Sequence, residues 1–408
     1  MNLLFAWRYF RAKKSTNAIN IIAWVSMAAI VVGTASLIVV LSVFNGFEDL
    51  VKSLYTSFYP EIKIGPASGK TLILTQEQLM RVRSVPGVRA VSLIAQDRGI
   101  VENGSIRVPV YLKGVDSNFL RVSGVGNNVE KGRFDVGDSA HPRAVLGSGI
   151  EYTLGIEPDK DLVPLGVYLF RRGSTDFSAT DPMASFNHES MVSSGDFRIQ
   201  VDFDNNYIIT NMDFVRRMIG LGPNEYTGVE ISIADAANAT NLRQQLSQRL
   251  GKDYLVQTRY EQNQSLYNVM GSEKWVIYVV LTLILIVAAF NMVGALTMLV
   301  WEKQKDIHVL KALGASDRMI RRIFLSEGIL LALIGGGGGI LLAVVICTLQ
   351  LKFKLIPLQG GSFLIDYYPV KLVAGDFVLV LGTITIIAVL ASWLPARKAA
   401  AQPIELRT

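Results

Sequence analysis

The sequence predicts a membrane protein: four transmembrane α-helices, arranged one plus three around a large α+β extracytoplasmic domain. Half of the 408 residues are hydrophobic and only 18% are charged. With a mean hydropathy of +0.35, this exceeds the apolar content that a soluble core needs. Four uncharged stretches interrupt the chain: 33 residues over 15–47, 27 over 275–301, 24 over 328–351 and 20 over 377–396. Each suffices for a span of about 20 residues. The charges are also sorted, and that sorting sets the orientation.

Residues 1–14, MNLLFAWRYFRAKK, place Leu3, Trp7 and Phe10 on one helical face with Arg8 and Arg11 elsewhere, as an interfacial helix in the headgroup plane would. The apolar stretch that follows far exceeds the roughly 7–15 residues of a signal-peptide core, so it is expected to remain as an anchor. Residues 1–14 carry four basic side chains and no acid, the 302–327 loop six against four, and the 397–408 tail three against one. The 227 residues of 48–274 carry 24 basic and 27 acidic. Short basic loops stay inside, which places both termini and the 302–327 loop in the cytoplasm. The large domain and the 352–376 loop are then on the far side. The net charge of +6 flanks membrane helices rather than a folded surface, which excludes nucleic-acid binding.

Within 48–274 the alternation in EIKI, VRAVSLIAQ and SIRVPVYLKGV predicts strands, the last two joined at Asn103-Gly104. LTQEQLMRVRSV reads as a helix, FRIQVDF and YIITN as strands, DFVRRMIGL as a helix, GVEISIA as a strand, and AANATNLRQQLSQRL as a helix before YLVQT. Two β-α-β units bracket a middle section, so two subdomains are expected. Between YLFRR and Phe197, the polar stretch 173–195 reads either as a disordered loop or as a projecting hairpin that grips a partner. No proline interrupts 47–58, and helical pattern runs from Tyr260 through Gly271 into the second span. Both helices are expected to stand above the membrane as stiff stalks.

GPASGKT at 65–71 lacks the four residues between glycines and the following helix of a phosphate-binding loop, and reads as a turn. His141, His188 and His308 are scattered, and HES at 188–190 lacks a second ligand histidine. Cys347 sits in a span, with no base nearby in sequence. No catalytic constellation and no Cys/His metal site is therefore expected. Gly335 to Gly339 are small residues suited to close helix approach, and Asn291 is a candidate for interhelical hydrogen bonding. In 302–328, Ile307, Leu310 and Leu313 share a helical face, Gly314 can end that helix, and Ser316 with Asp317 can start the next. The segment reads as an interfacial turn or as a coupling helix for a cytosolic ATPase.

AWRYFRAKK, SLIVVLSVFNGFEDLV, EKQKDIHVLKALGAS and WLPARKAAAQPIELR resemble, in order and spacing, the permease subunits of lipoprotein-releasing ABC transporters, the LolC/LolE family. That family lies within the wider FtsX/MacB-like (type VII) permeases. The resemblance implies a non-enzymatic subunit without a cofactor of its own, working in a dimer with an identical or paralogous permease. A separate cytosolic ABC ATPase dimer would bind ATP and Mg. The pair would extract acylated lipoproteins from the outer leaflet of the bacterial inner membrane and hand them to a periplasmic carrier by mechanotransmission. An FtsX-type signalling permease would usually have a smaller outer domain, and a MacB-type exporter would carry its ATPase in the same chain. A sensor or scaffold that moves nothing is the third alternative.

Three sets of site residues follow. Glu302, Asp306, Lys311, Leu313, Gly314 and Ala315 are expected to meet the ATPase, because their loop is the one sizeable cytoplasmic surface. Arg171, Arg172, Pro182, Met183 and Phe186 are expected to meet the carrier, as a few anchors among polar residues. Ile38, Leu41 and Phe44 on the first span, with Val276, Val279 and Val280 on the second, are expected to form the apolar wall for acyl chains, between the outer halves of these spans in opposing subunits.

Overall fold

The computed structural model describes residues 17–157, 164–172, 185–358, 365 and 367–402. The helix expected over 1–14 and most of the tail lie outside them. Two units emerge, one of residues 1–50, 268–358 and 367–408, the other of 51–267 with 359–366.

Helix α1 (Asn17–Phe58) is unbroken over 42 residues and ends just before Pro60, which cannot continue it. The second unit follows in the order β1 (Ile62–Pro66), β2 (Leu72–Ile73), α2 (Gln76–Arg83), β3 (Val88–Asn103), β4 (Ile106–Val115), β5 (Val129–Gly132), β6 (Arg143–Gly147), α3 (Ser148–Leu154), β7 (Pro164–Phe170) and β8 (Phe186–Phe197). It continues through α4 (Val201–Asp204), β9 (Tyr207–Asn211), α5 (Met212–Ile219), β10 (Glu225–Tyr226), β11 (Gly228–Ile233), α6 (Ala239–Leu250), β12 (Tyr254–Thr258) and α7 (Arg259–Gln262). Local chemistry sets many of these boundaries. Thr75 and Gln78 form a capping box on α2. Asn211 caps α5, and Gly220 at φ +80° stops it. The β3–β4 hairpin turns through Gly104-Ser105, with Asn103 already paired to Ile106 and Gly104 at φ +60°.

A ten-stranded sheet runs β12-β1-β11-β3-β4-β9-β6-β8-β5, with β7 pairing β3 and β8. It serves two apolar cores. One gathers Leu112, Leu146, Leu165, Ile208 and Phe214; the other gathers Ile62, Leu79, Val82, Ile231 and Leu246. The 16-residue β3 joins them, giving Ala95 and Val101 to the first and Val91 and Leu93 to the second.

Two expectations are corrected here. The strand predicted over 197–203 is instead β8 at 186–197, and Val201–Asp204 is a helical turn. Polar Asn187, His188, Glu189 and Ser190 hide the strand from hydropathy, but β8 is paired by β7, β6 and β5. The second stalk does not run unbroken from Tyr260: α7 ends at Gln262, Asn263 breaks the run, and the long helix begins at Gln264.

That helix, α8 (Gln264–Glu302), opens the remainder of the first unit, followed by α9 (Gln304–Ala312), α10 (Asp317–Phe353) and α11 (Ala374–Ala400). α1, α8, α10 and α11 are each long and apolar enough to cross a membrane. α10 begins at Asp317, inside the loop that charge alone bounded at 327, because a helix continues wherever its backbone bonds do. Of the five glycines, Gly335 and Gly339 face α1: a Cβ there would lie 2.9 Å from Ile30 and 2.5 Å from Thr34, whereas Gly337 faces open space. This i, i+4 pair permits the close helix approach. Asn291 meets Ser26 through its backbone carbonyl.

Candidate functional site

At the 302–317 connection the expected apolar face divides. Ile307 is buried with Leu299, Val300, Ile320, Phe324, Ala396 and Ala399, while Leu313 is 80% exposed. Gly314 at φ +90° reverses the chain, its N–H bonding the Lys311 carbonyl and that of Ala315 the Leu310 carbonyl. Ser316 Oγ then caps α10 by accepting from the Met319 N–H. Lys311 turns inward: Nζ donates to the carbonyls of Ala400 (2.8 Å) and Gln402 (2.7 Å) and pairs with Asp317 at 3.0 Å. Its side chain is 11% exposed, so it ties α9 to the end of α11. Asp306 is half exposed and pairs with Lys303, and Glu302 ends α8. Leu313, Gly314 and the half-buried Ala315 thus form a protruding tip.

In the second unit, β7 and β8 pair antiparallel from Pro164↔Val192 to Phe170↔Phe186. The Arg171 N–H bonds the Ser185 carbonyl, and the Phe170 and Phe186 rings lie 4.3 Å apart. Residues 186–195 of the polar stretch are therefore strand, and 173–184 lie outside the described residues. Pro182 and Met183 lie outside the described residues. Arg172 Nη1 is 2.7 Å from the Glu225 carboxylate, which also accepts from Thr71 Oγ1 (2.6 Å) and the Gly222 N–H (2.9 Å). In the GPASGKT segment Gly65 and Pro66 end β1, and the chain bends over 67–70, with Gly69 at φ +82°, before the two-residue β2.

Arg172, then Thr71 and Gly222, pull the Glu225 carboxyl from 4.5 down to about 2. A carboxyl with a lowered folded pKa stabilises fully above its unfolded value and loses this as pH falls through the folded one. Glu225→Gln is expected to cost about 1–2 kcal/mol at pH 7. The difference from wild type in thermal melts should shrink as pH drops from 4.5 toward 2. A pH-independent difference would remove the charge from the account.

The last turn of α1 is seated in the same unit. Phe58 is buried, stacks on Phe203 at 4.3 Å and meets Tyr207 at 4.7 Å. Lys113 lies 4.8 Å from its ring and pairs with Glu230 at 2.7 Å, both buried. Burial pulls the neighbouring Lys63 ammonium below its usual value; Glu230 opposes this and Lys113 adds to it. The aromatic cluster locks the helix end into the domain.

The residues expected at the acyl-chain site differ in burial within this chain. Ile38 and Leu41 are buried inside the chain's own bundle with Leu285, Leu296, Leu331 and Val380, because α1 presents that face to α8, α10 and α11. Phe44 is half-buried. Val276, Val279 and Val280 are 62%, 53% and 50% exposed. The two sets do not form one surface within this chain.

Sequence reasoning missed a polar clasp at the domain-side end of the bundle. Asn45 Nδ2 donates to Asp376 Oδ2 (2.6 Å), and Lys274 Nζ donates to Asn45 Oδ1 (2.8 Å) and lies 3.3 Å from Asp376 Oδ1. A Cβ on Gly46 would fall 2.4 Å from the Pro369 carbonyl oxygen, and the Phe47 ring meets Tyr368 edge-on at 5.7 Å. Lys371 pairs with Asp49 at 2.5 Å. One signal was available: Lys274 and Asp376 each abut an apolar stretch, and Asn45 lies near the end of another.

Four helices long and apolar enough to span a membrane, in one-plus-three order with a large α+β insertion after the first, are the layout of a membrane permease with an extracytoplasmic domain. Residues 23–249 match the MacB-like periplasmic core domain, and residues 278–404 match the FtsX-like permease C-terminal region. The chain belongs to this MacB/FtsX-like permease family. It is 29% identical to the lipoprotein-releasing system transmembrane protein LolE of Haemophilus influenzae, over 97% of this chain and 96% of that protein. It is 28% identical to the lipoprotein-releasing system transmembrane protein LolC of Neisseria meningitidis, over 98% of each. A pyoverdine export ATP-binding/permease protein, PvdT of Pseudomonas syringae pv. tomato, is 25% identical over 97% of this chain and 57% of its own length.

Proposed function

We propose that this chain is the permease subunit of an ATP-driven transporter that extracts lipoproteins from the outer leaflet of the bacterial inner membrane. It hands them to a periplasmic carrier. The observation that carries this reading is end-to-end similarity to two lipoprotein-releasing transmembrane proteins. The geometry supports it: a tip at Leu313–Ala315 suited to an ATPase groove, an unbroken α1 locked into the domain at Phe58, and a hairpin at 164–197. Both termini are cytoplasmic in this reading. A separate ATPase dimer binds ATP and Mg, and a second permease, identical or paralogous, completes the membrane part. Closing the ATPase dimer moves the two tips together, and stiff helices carry that motion to the outer domains. Acyl chains lie against Phe44 and the exposed Val276, Val279 and Val280, where each buried CH₂ contributes about 0.8 kcal/mol.

The test is purification with the co-expressed ATPase and identification of the proteins retained. Acylated proteins released on ATP addition are expected; a complex that retains none, with or without nucleotide, would overturn the reading. A second test addresses the hairpin. Because 186–197 is a core strand, only 174–183 should be exchanged, for a Gly/Ser linker. Carrier crosslinking should then disappear while the complex still assembles, and crosslinking that survives would move the carrier site elsewhere.

A further inference from the structure

Beneath the clasp formed by Asn45, Lys274 and Asp376, a cavity of about 210 Å³ is lined by Leu41, Lys274, Trp275, Tyr278, Asp376 and Leu379. We propose that it binds one phospholipid of the surrounding bilayer, with a headgroup bearing both a phosphate and a primary ammonium, as a resident lipid distinct from the transported cargo. This goes beyond the transport reading and does not depend on it.

Three features select this occupant. The first is the distribution of polarity. Leu41 is a buried floor, whereas Trp275 is 62% exposed and Leu379 is exposed beside it, so the apolar part opens sideways toward lipid. The Tyr278 hydroxyl is spent on Thr383 Oγ1, which leaves its ring as wall, and Trp275 packs edge-on against it at 5.6 Å. Such an aromatic pair suits the hydrocarbon boundary.

The second feature is the charge at the rim. Lys274 Nζ carries three N–H groups, one given to Asn45 Oδ1 and one directed at Asp376 Oδ1; a third remains for a phosphate oxygen. Asp376 Oδ1, 3.3 Å from that ammonium, retains capacity for a second cation. An anionic headgroup alone would face Asp376 uncompensated, and a cationic one alone would face Lys274. A headgroup with both charges satisfies both.

The third is size. At about 210 Å³, below the roughly 300–1,000 Å³ of pockets for drug-sized ligands, the cavity takes the first segment of one acyl chain and leaves the remainder in the bilayer.

The test uses the full chain in nanodiscs of phosphatidylethanolamine and phosphatidylglycerol. A photoactivatable phosphatidylethanolamine should label the wild-type peptides that contain residues 274–279 and 376–379. After detergent extraction, phosphatidylethanolamine should be retained at least threefold above its bulk share. Leu379→Trp, which fills the cavity, should return this to the bulk share. Lys274→Ala and Asp376→Asn should each reduce it severalfold, and Val287→Trp, on an exposed face of the same helix, should leave it unchanged. Labelling confined to other peptides would overturn the proposal. So would equal retention of phosphatidylglycerol, retention indifferent to Leu379→Trp, or capture of an acylated protein by a photocrosslinker at Leu379.

Discussion

Leu313→Asp is expected to leave membrane insertion and ATP hydrolysis in place and to lower ATP-dependent lipoprotein release at least tenfold. Leu313 is 80% exposed at the tip of α9, held there by Ile307 buried beneath and by Lys311 bonded to Ala400 and Gln402. An apolar anchor on a rigid tip is the kind of residue whose loss costs about 2 kcal/mol or more at an interface, and a carboxylate there must also be desolvated. Gly314→Pro should act in the same direction, because proline is fixed near φ −65° and this position sits at φ +90°. Release and ATPase rates measured together in proteoliposomes decide the matter. Release at the wild-type rate in both variants would place the ATPase contact elsewhere.

Phe58→Ala is expected to loosen the end of α1 from the domain. Removing a buried phenyl costs about 3–5 kcal/mol, and this ring also shields the Lys113–Glu230 pair, at 2% and 4% side-chain exposure. The full complex should show early protease cleavage around residues 55–62 and a lower melting temperature, while ATP hydrolysis persists and release falls. Phe58→Leu should lie between. A variant that melts and transports like wild type would mean that Phe203, Tyr207 and Phe197 hold the helix end without it.

The membrane helices were legible because lipid imposes a one-dimensional rule, about 20 apolar residues per span, that survives without any knowledge of partners. Strands flanked by clear turns were legible too, from Ile62–Pro66 to Tyr254–Thr258. β8 was not, since Phe186–Phe197 draws its stability from pairing with three other strands, one of them parallel. Hydropathy registers side chains and is blind to ladder bonds. The glycine run was readable as close packing, but only the bundle shows that Gly335 and Gly339 are pressed hardest against α1, with Gly338 next, where a Cβ would lie 3.3 Å from Val31.

For the α9 turn, residue type and spacing determined the stop at Gly314 and the start at Ser316, but not that Ile307 is buried while Leu313 is exposed. The stop and the start each act within one helical turn, which is why sequence suffices for them. Which side chains remain free depends on what folds over them, and that only the tertiary structure decided. It turned Lys311 inward onto a helix end 89 residues away and buried Ile38 and Leu41 within their own bundle. It joined Asn45 to an aspartate 331 residues away and brought Lys274 to both. A charge or a methyl group cannot know from its neighbours in sequence whether it will meet solvent, lipid or a distant partner, because burial is set by long-range packing rather than by local backbone geometry.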